Sequence, residues 1–344
     1  MLKATDLRGV YAIIPTPAKP DANRWDATDT VDLDETARVI EQLIADGVDG
    51  LIALGTTGEC ATLINADYDA FVDCTLTTVA GRVPTFIGAS ALGTHEVVRR
   101  LRFVADNGGD GTLLGLPMWQ PATTDMAVRF YETVSQAFPD LALMVYANQR
   151  AFRFDFNDDF WEAVAKRAPT VMSAKFSAPK RLLNVLAVSD GRINFLPHEN
   201  AVHDFMRLSP ETTTACWSTA ASMGPSPAMA IMKAIMAGDS PAAEKINEDL
   251  NWANDPVMSI VAVPEEFASY NIQIEKIRID EAGYCKAGPI RPPYDVIPEA
   301  YEQAARLCAQ RWVELVSKYP LRPAGGIVSQ AAESSEADAT LERA

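Results

Sequence analysis

Positive charge is scarce in this sequence. Its 344 residues carry 30 Lys and Arg against 46 Asp and Glu, a formal net charge of −16. A nucleic-acid partner requires a basic face that neutralises phosphates, so that class of function is excluded. Apolar runs are short as well: none approaches the roughly 18 residues of a membrane span, so no membrane partner is expected. The opening MLKATDLRGV is too polar for the apolar core of a secretory signal, and the expectation is a cytoplasmic protein. The five cysteines, Cys60, Cys74, Cys216, Cys285 and Cys308, are scattered and form no CxxC pair. That excludes a disulfide framework and a zinc ribbon, and leaves them as small apolar side chains. Histidine is rarer still, with three in the chain. His198 and His203 fall five apart in HENAVH, which on a helix sets them about 140° apart, so this is not a zinc-binding HExxH helix. Neither a metal nor an organic cofactor is expected.

What the sequence does contain is apolar material, 48% of residues, laid out in a rhythm. Short runs rich in branched residues recur at 10–17, 50–57, 83–90, 111–117, 141–148, 171–177, 193–199 and 212–219. Between them lie amphipathic stretches such as Leu33 to Asp46, Ala66 to Ala80 and His95 to Asn107. Apolar strands alternating with helices read as βα units on a parallel sheet. Eight such units by about residue 237 predict an α/β fold, a (β/α)8 TIM barrel over residues 1–240, near the usual ~250-residue size. A doubly wound sheet would instead show a glycine-rich phosphate turn after its first strand, and IIPTPAKP is not one. The glycines of NGGDGT (107–112) read as a helix end and strand entry. Residues 241–322 lack the strand rhythm and predict a C-terminal extension of three helices, near 241–254, 265–282 and 297–318. The small, polar, acidic segment 323–344 is expected to be a disordered tail.

In such a barrel, chemistry belongs at the C-terminal strand ends and the loops beyond them. Those ends carry Thr56, Thr57 and Glu59; Ser90; Pro117 and Trp119; Tyr146 and Asn148; Lys175; His198 and Glu199; Trp217 and Ser218. Lys175 stands out. Alternation within VMSAKFS puts Val171, Ser173 and Lys175 on one face and Met172, Ala174 and Phe176 on the other. The second face suits packing under helices, so Lys175 points into the barrel. Burial there disfavours its charged form; a free amine near pH 7 requires a fall of ~3.4 units from ~10.4, about 4.6 kcal/mol. A neutral lysine can attack a ketone to form a Schiff base. Pairing of the ammonium with Glu59 or Glu199 is the other reading of the same position. Tyr146 ends the preceding strand, beside Lys175, as a proton carrier or as a core tyrosine bonded to a backbone carbonyl. GTTGE (55–59) offers hydroxyls and backbone N–H groups that suit a carboxylate.

GTTGE after the second strand, a Tyr closing the fifth and a Lys within the sixth resemble the N-acetylneuraminate lyase and dihydrodipicolinate synthase superfamily of Schiff-base pyruvate aldolases. IIPTPAKPDANRWDAT, GTTGECATL, GLPMW, VYANQRAFRFDF, FLPHEN and KAGPIRPPY are similar to its hydratase-aldolase branch, which acts on substituted trans-benzylidenepyruvates. The resemblance implies that Lys175 forms the iminium and Tyr146 shuttles protons. By the same resemblance Asn148 positions the added water, Thr56 and Thr57 hold the carboxylate, and His198, Trp217 and Trp119 wall the aromatic side. It further implies a homotetramer. Dihydrodipicolinate synthases usually follow Tyr-Asn with Pro and then a substrate-binding Arg; here Ala147, Asn148, Gln149 and Arg150 follow Tyr146. Arg150 could pair with an ortho-carboxylate on the ring or be a solvated loop residue. A synthase, a sugar-acid aldolase and a non-catalytic keto-acid sensor are the competing functions.

Overall fold

The computed structural model describes residues 2–321; the segment expected as a tail lies outside the described residues. Eight parallel strands, β1 (Gly9–Ile13), β2 (Gly50–Ala53), β3 (Thr85–Ile87), β4 (Gly111–Leu114), β5 (Ala142–Tyr146), β6 (Val171–Lys175), β7 (Asn194–Leu196) and β8 (Ala215–Ser218), run in the order β7-β6-β5-β4-β3-β2-β1-β8. Between and after them lie α1 (Leu33–Asp46), α2 (Asn65–Val79), α3 (Thr94–Asp106), α4 (Thr124–Ala137), the single turn α5 (Gln149–Phe152), α6 (Asp158–Arg167), α7 (Leu182–Val188), α8 (Val202–Leu208) and α9 (Ser226–Met236). The expected TIM barrel is present.

The barrel closes one residue beyond β7. There Trp217 N–H donates to Pro197 O (2.9 Å) and Glu199 N–H donates to Trp217 O (3.1 Å), so His198 and Trp217 face each other across the seam. Pro197 has no N–H to give, which ends β7 before the run expected from its apolar residues. In β6 the alternation holds: Ser173 is fully buried inside, whereas Phe176, just past the strand, packs outward against Trp161, Phe195 and Phe205. After α3, Gly108 takes a left-handed turn (φ 76°) and Gly111 opens β4, as NGGDGT suggested.

Three long helices follow the barrel: α10 (Ser240–Val261), α11 (Pro264–Ala282) and α12 (Glu299–Lys318). α10 runs past the expected end near 254 and through Pro256. A proline inside a helix orphans the carbonyl four residues earlier. Here Arg311 of α12 takes it, donating Nη1 to Trp252 O at 2.7 Å while its guanidinium lies 5.0 Å over the Trp252 ring. A separate apolar cluster of Val257, Ile260, Ile274, Ala305 and Cys308 binds the three helices together. Among the described residues no helix is long and apolar enough to cross a membrane.

Candidate active site

Lys175 and Tyr146 are register partners at the ends of β6 and β5. The Lys175 ammonium lies 3.5 Å from the centre of the Trp217 ring and 4.8 Å from that of Tyr146. No carboxylate among the described residues pairs with it. Glu59, one of the two partners considered from sequence, is wholly committed elsewhere: its carboxylate meets Lys276 Nζ at 2.7 Å and Arg291 Nη1 at 2.6 Å. Burial lowers the Lys175 pKa; the charges of Tyr146, Glu275 and Glu199 oppose that shift and Arg150 adds to it. The result is an amine biased toward its neutral, nucleophilic form, held between two aromatic rings.

Tyr146 is buried, and its hydroxyl sits 2.7 Å from Thr56 Oγ1 while Asn148 Nδ2 donates to it at 3.3 Å. The Asn148 side chain also accepts from Ala151 N–H at 3.1 Å, capping α5 and so fixing its own amide. Lys175, Tyr146, Thr56 and Asn148 thus form one connected constellation. Thr57 is buried on the same loop, and the N–H groups of Thr56 and Thr57 donate to no acceptor among the described residues. The loop is sharply bent, with Leu54 at φ 56° and Glu59 at φ 51°. Only glycine fits at position 58, where a Cβ would approach Leu54 N to 2.7 Å.

That bend is secured from below and behind. Thr16 Oγ1 donates to Gly58 O at 2.7 Å. The buried Glu59 receives Lys276 of α11 and both the N–H and side chain of Arg291, and Arg291 also donates to Thr16 O (3.1 Å), Thr30 Oγ1 (2.8 Å) and Thr30 O (3.0 Å). The Thr56–Glu59 loop is therefore clamped to the C-terminal segment by a buried ion triad. Sequence reasoning missed Lys276 and Arg291; the signal was the polar Arg within KAGPIRPPY, which has nothing to do on a helix or strand.

On the opposite side His198 lies edge-on to Trp217, ring centres 4.4 Å apart at 71°. Asn200 N–H donates to His198 Nδ1 at 3.3 Å, and Nε2 lies 2.9 Å from Oε2 of the fully buried Glu199. Arg150 is exposed on α5, its guanidinium 4.9 Å over the Phe267 ring of α11. Trp119 stands apart: it is 75% exposed on the loop after β4 and touches none of these rings. Its position is set by Arg153, whose Nη2 donates to the carbonyls of Met118 and Trp119.

With this geometry in hand, the relatives are informative. Residues 14–308 match the dihydrodipicolinate synthetase family. The chain is 43% identical over 322 residues to a trans-O-hydroxybenzylidenepyruvate hydratase-aldolase of Pseudomonas putida, covering 92% of this chain and 96% of that protein. It is 36% identical to a trans-2'-carboxybenzalpyruvate hydratase-aldolase of a Nocardioides species, with the same coverage of both chains. A solved structure described as PhdJ bound to substrate intermediate superposes with a TM-score of 0.89 at 35% identity, over 93% of this chain and 99% of that one. These matches show the family: the chain belongs to the dihydrodipicolinate synthetase family.

Proposed function

We propose that this protein is a hydratase-aldolase that converts an ortho-substituted trans-benzylidenepyruvate, 2-hydroxy or 2-carboxy, and water into an aromatic aldehyde and pyruvate through a Schiff base on Lys175. The observation that carries the reading is the unpaired Lys175 amine beside the Tyr146–Thr56 hydroxyl pair, 2.7 Å apart.

The keto acid enters with its carboxylate on the loop, where Thr56 and Thr57 N–H groups and hydroxyls receive it. Its ketone carbon then lies over Lys175. The neutral amine attacks; the Tyr146 hydroxyl, backed by Thr56, passes a proton to the carbinolamine oxygen, and loss of water leaves an iminium conjugated to the C=C bond. Water held by Asn148 adds its oxygen to the benzylic carbon as the double-bond electrons move toward nitrogen, and gives up one proton to the Tyr146 oxygen, leaving a benzylic hydroxyl and an enamine. Protonation of the adjacent carbon regenerates the iminium. In the retro-aldol step a base takes the benzylic hydroxyl proton, the carbon–carbon bond breaks, and its electron pair flows into the iminium as the aldehyde departs. Protonation and hydrolysis release pyruvate and the free lysine. One amine serves both halves of the reaction, and the Trp217 face with the His198 edge suits a flat aromatic ring. For a 2-carboxy substrate, Arg150 is the proposed partner of the ortho-carboxylate, which a guanidinium binds bidentately. We place the protein in the cytoplasm as a homotetramer.

The test is turnover of a panel of benzylidenepyruvates, with pyruvate and aromatic aldehyde measured separately. Equimolar release of both supports the reading. Turnover of aspartate semialdehyde with pyruvate or cleavage of a sugar acid, with none on the aromatic panel, overturns it in favour of a synthase or sugar-acid aldolase.

A further inference from the structure

Two buried carboxylates are unused by the mechanism above: Glu199, three residues past Leu196, the register partner of Lys175, and Glu275 on α11. Glu199 is completely buried at the seam that closes the barrel. Although His198 Nε2 approaches Oε2 at 2.9 Å, the geometry is not that of a directed hydrogen bond, and neither Glu199 oxygen accepts one from the described residues. Glu275 is 8% exposed on α11, with Oε2 likewise free of a donor and Oε1 3.7 Å from Arg278 Nη1. α11 crosses the region of the site, placing Phe267 under Arg150 at one end and Lys276 on Glu59 at the other; Glu275 lies between them. The two acids are tied into one frame. Arg278 Nη2 donates to Asn254 Oδ1 at 2.8 Å, and Asn254 Nδ2 donates to Asn200 Oδ1 at 3.3 Å, next to Glu199.

Burying an acid without hydrogen bonds is costly unless a positive charge compensates it. Glu275 has part of that compensation in Arg278, 3.7 Å away; Glu199 has no Lys or Arg beside it among the described residues, and Asn200 N–H donates to His198 Nδ1, a position that accepts only in the neutral ring. A cation does arise in this site whenever the lysine nitrogen becomes an iminium. We propose that Glu199 and Glu275 are the counter-ions of the Lys175 iminium, electrostatic positioning residues that stabilise the charge without touching substrate. The inference rests on the Schiff-base reading above. The charges that act on Lys175 are those of Tyr146 from β5, Arg150 from α5, Glu199 past β7 and Glu275 from α11, and both acids act on its titration in the expected sense.

The proposal has a pH signature. Above the Lys175 pKa, imine formation converts neutral amine, ketone and a proton into a cation and water, so removing a nearby negative charge disfavours it. Below that pKa, ammonium plus ketone gives iminium, a proton-neutral exchange of one cation for another, and the same removal has little effect. The experiment measures the pyruvate concentration giving half-maximal borohydride trapping on Lys175, across pH, in wild type, Glu199→Gln, Glu275→Gln and the double variant. The expected result is a mutant-to-wild-type ratio near one at low pH that climbs to about tenfold above the wild-type pKa, the equivalent of one pKa unit, and higher in the double variant. The acid limb of trapping should move to lower pH at the same time. A ratio that does not vary with pH, or a limb that stays in place, overturns the counter-ion role and leaves the acids purely structural. If wild type itself traps no pyruvate on Lys175, the Schiff-base reading fails and this proposal falls with it. Far-ultraviolet circular dichroism of each variant establishes that it is folded, and Glu199→Asp, which keeps the charge, should restore the wild-type pH profile.

Discussion

Replacing Lys276 with methionine should loosen the Thr56–Glu59 loop, the proposed seat of the substrate carboxylate, by removing one arm of the buried Glu59–Lys276–Arg291 triad. The three side chains are 0%, 0% and 3% exposed, so none recovers its lost partner from bulk water. Burial lowers the Lys276 pKa and Glu59 opposes that shift, a mutual dependence typical of a paired buried ammonium. Breaking a buried pair costs about 3–5 kcal/mol when it leaves a charge unpaired; Glu59 keeps Arg291, so the loss here is at most about 3 kcal/mol. Spread over roughly 320 ordered residues at ~2.1 cal/mol/K each, that corresponds to a fall in Tm of up to about 4 °C. Lys276 Nζ also donates to Pro289 O at 2.8 Å, so the variant orphans a carbonyl as well. Because only Gly58 separates Glu59 from Thr56 and Thr57, KM for the keto acid should rise more than kcat falls. A thermal melt and steady-state kinetics read both effects. The double variant Glu59→Met/Lys276→Met supplies the check: it should cost less than the sum of the two single changes, since no uncompensated charge remains from that pair. Additive costs, or an unchanged KM in the single variant, would refute the reasoning.

Four further outcomes follow from the geometry. Tyr146→Phe keeps the ring against Phe152, centres 5.4 Å apart, and removes only the hydroxyl proposed to carry protons; kcat should drop about 10²–10⁴-fold, with thermal stability nearly unchanged. Arg150→Ala removes a charge that lowers the Lys175 pKa, so the acid limb of kcat/KM should shift to higher pH, and the 2-carboxy substrate should lose more kcat/KM than the 2-hydroxy one. An equal loss on both substrates would remove Arg150 from recognition of the ring. For Lys175 itself the linkage has a fixed sign: its folded pKa is depressed, so between that value and the unfolded ~10.4 the unfolded chain binds more protons and wild-type stability rises with pH. Relative to Lys175→Met, wild type should therefore gain about 1.4 kcal/mol per pH unit across that window, measured by urea denaturation; a flat difference would mean that the lysine is not shifted.

Much of the barrel was legible because its signals are local. Alternation within VMSAKFS orients Lys175, and the parallel register brings Tyr146 next to it. What escaped the sequence is long-range. Nothing near Glu59 announces that its partners lie 217 and 232 residues away, and so Lys175 could be read as its partner. Pro256 is a local stop signal that Arg311 overrides from another helix. Trp119 follows a strand and is aromatic, which made it a plausible wall, yet its exposure depends on how Arg153 holds the loop carbonyls. Glu199 is adjacent to His198 in sequence, but only burial reveals it as an acid in need of a cation.

The account turns on one covalent bond, between Lys175 and a keto acid. Incubation with pyruvate, reduction with borohydride, digestion and mass mapping test it directly. The account predicts a reduced pyruvyl adduct on the peptide containing Lys175, absent from Lys175→Ala. An unlabelled Lys175 peptide, under conditions that label another Schiff-base aldolase of the family, would contradict it.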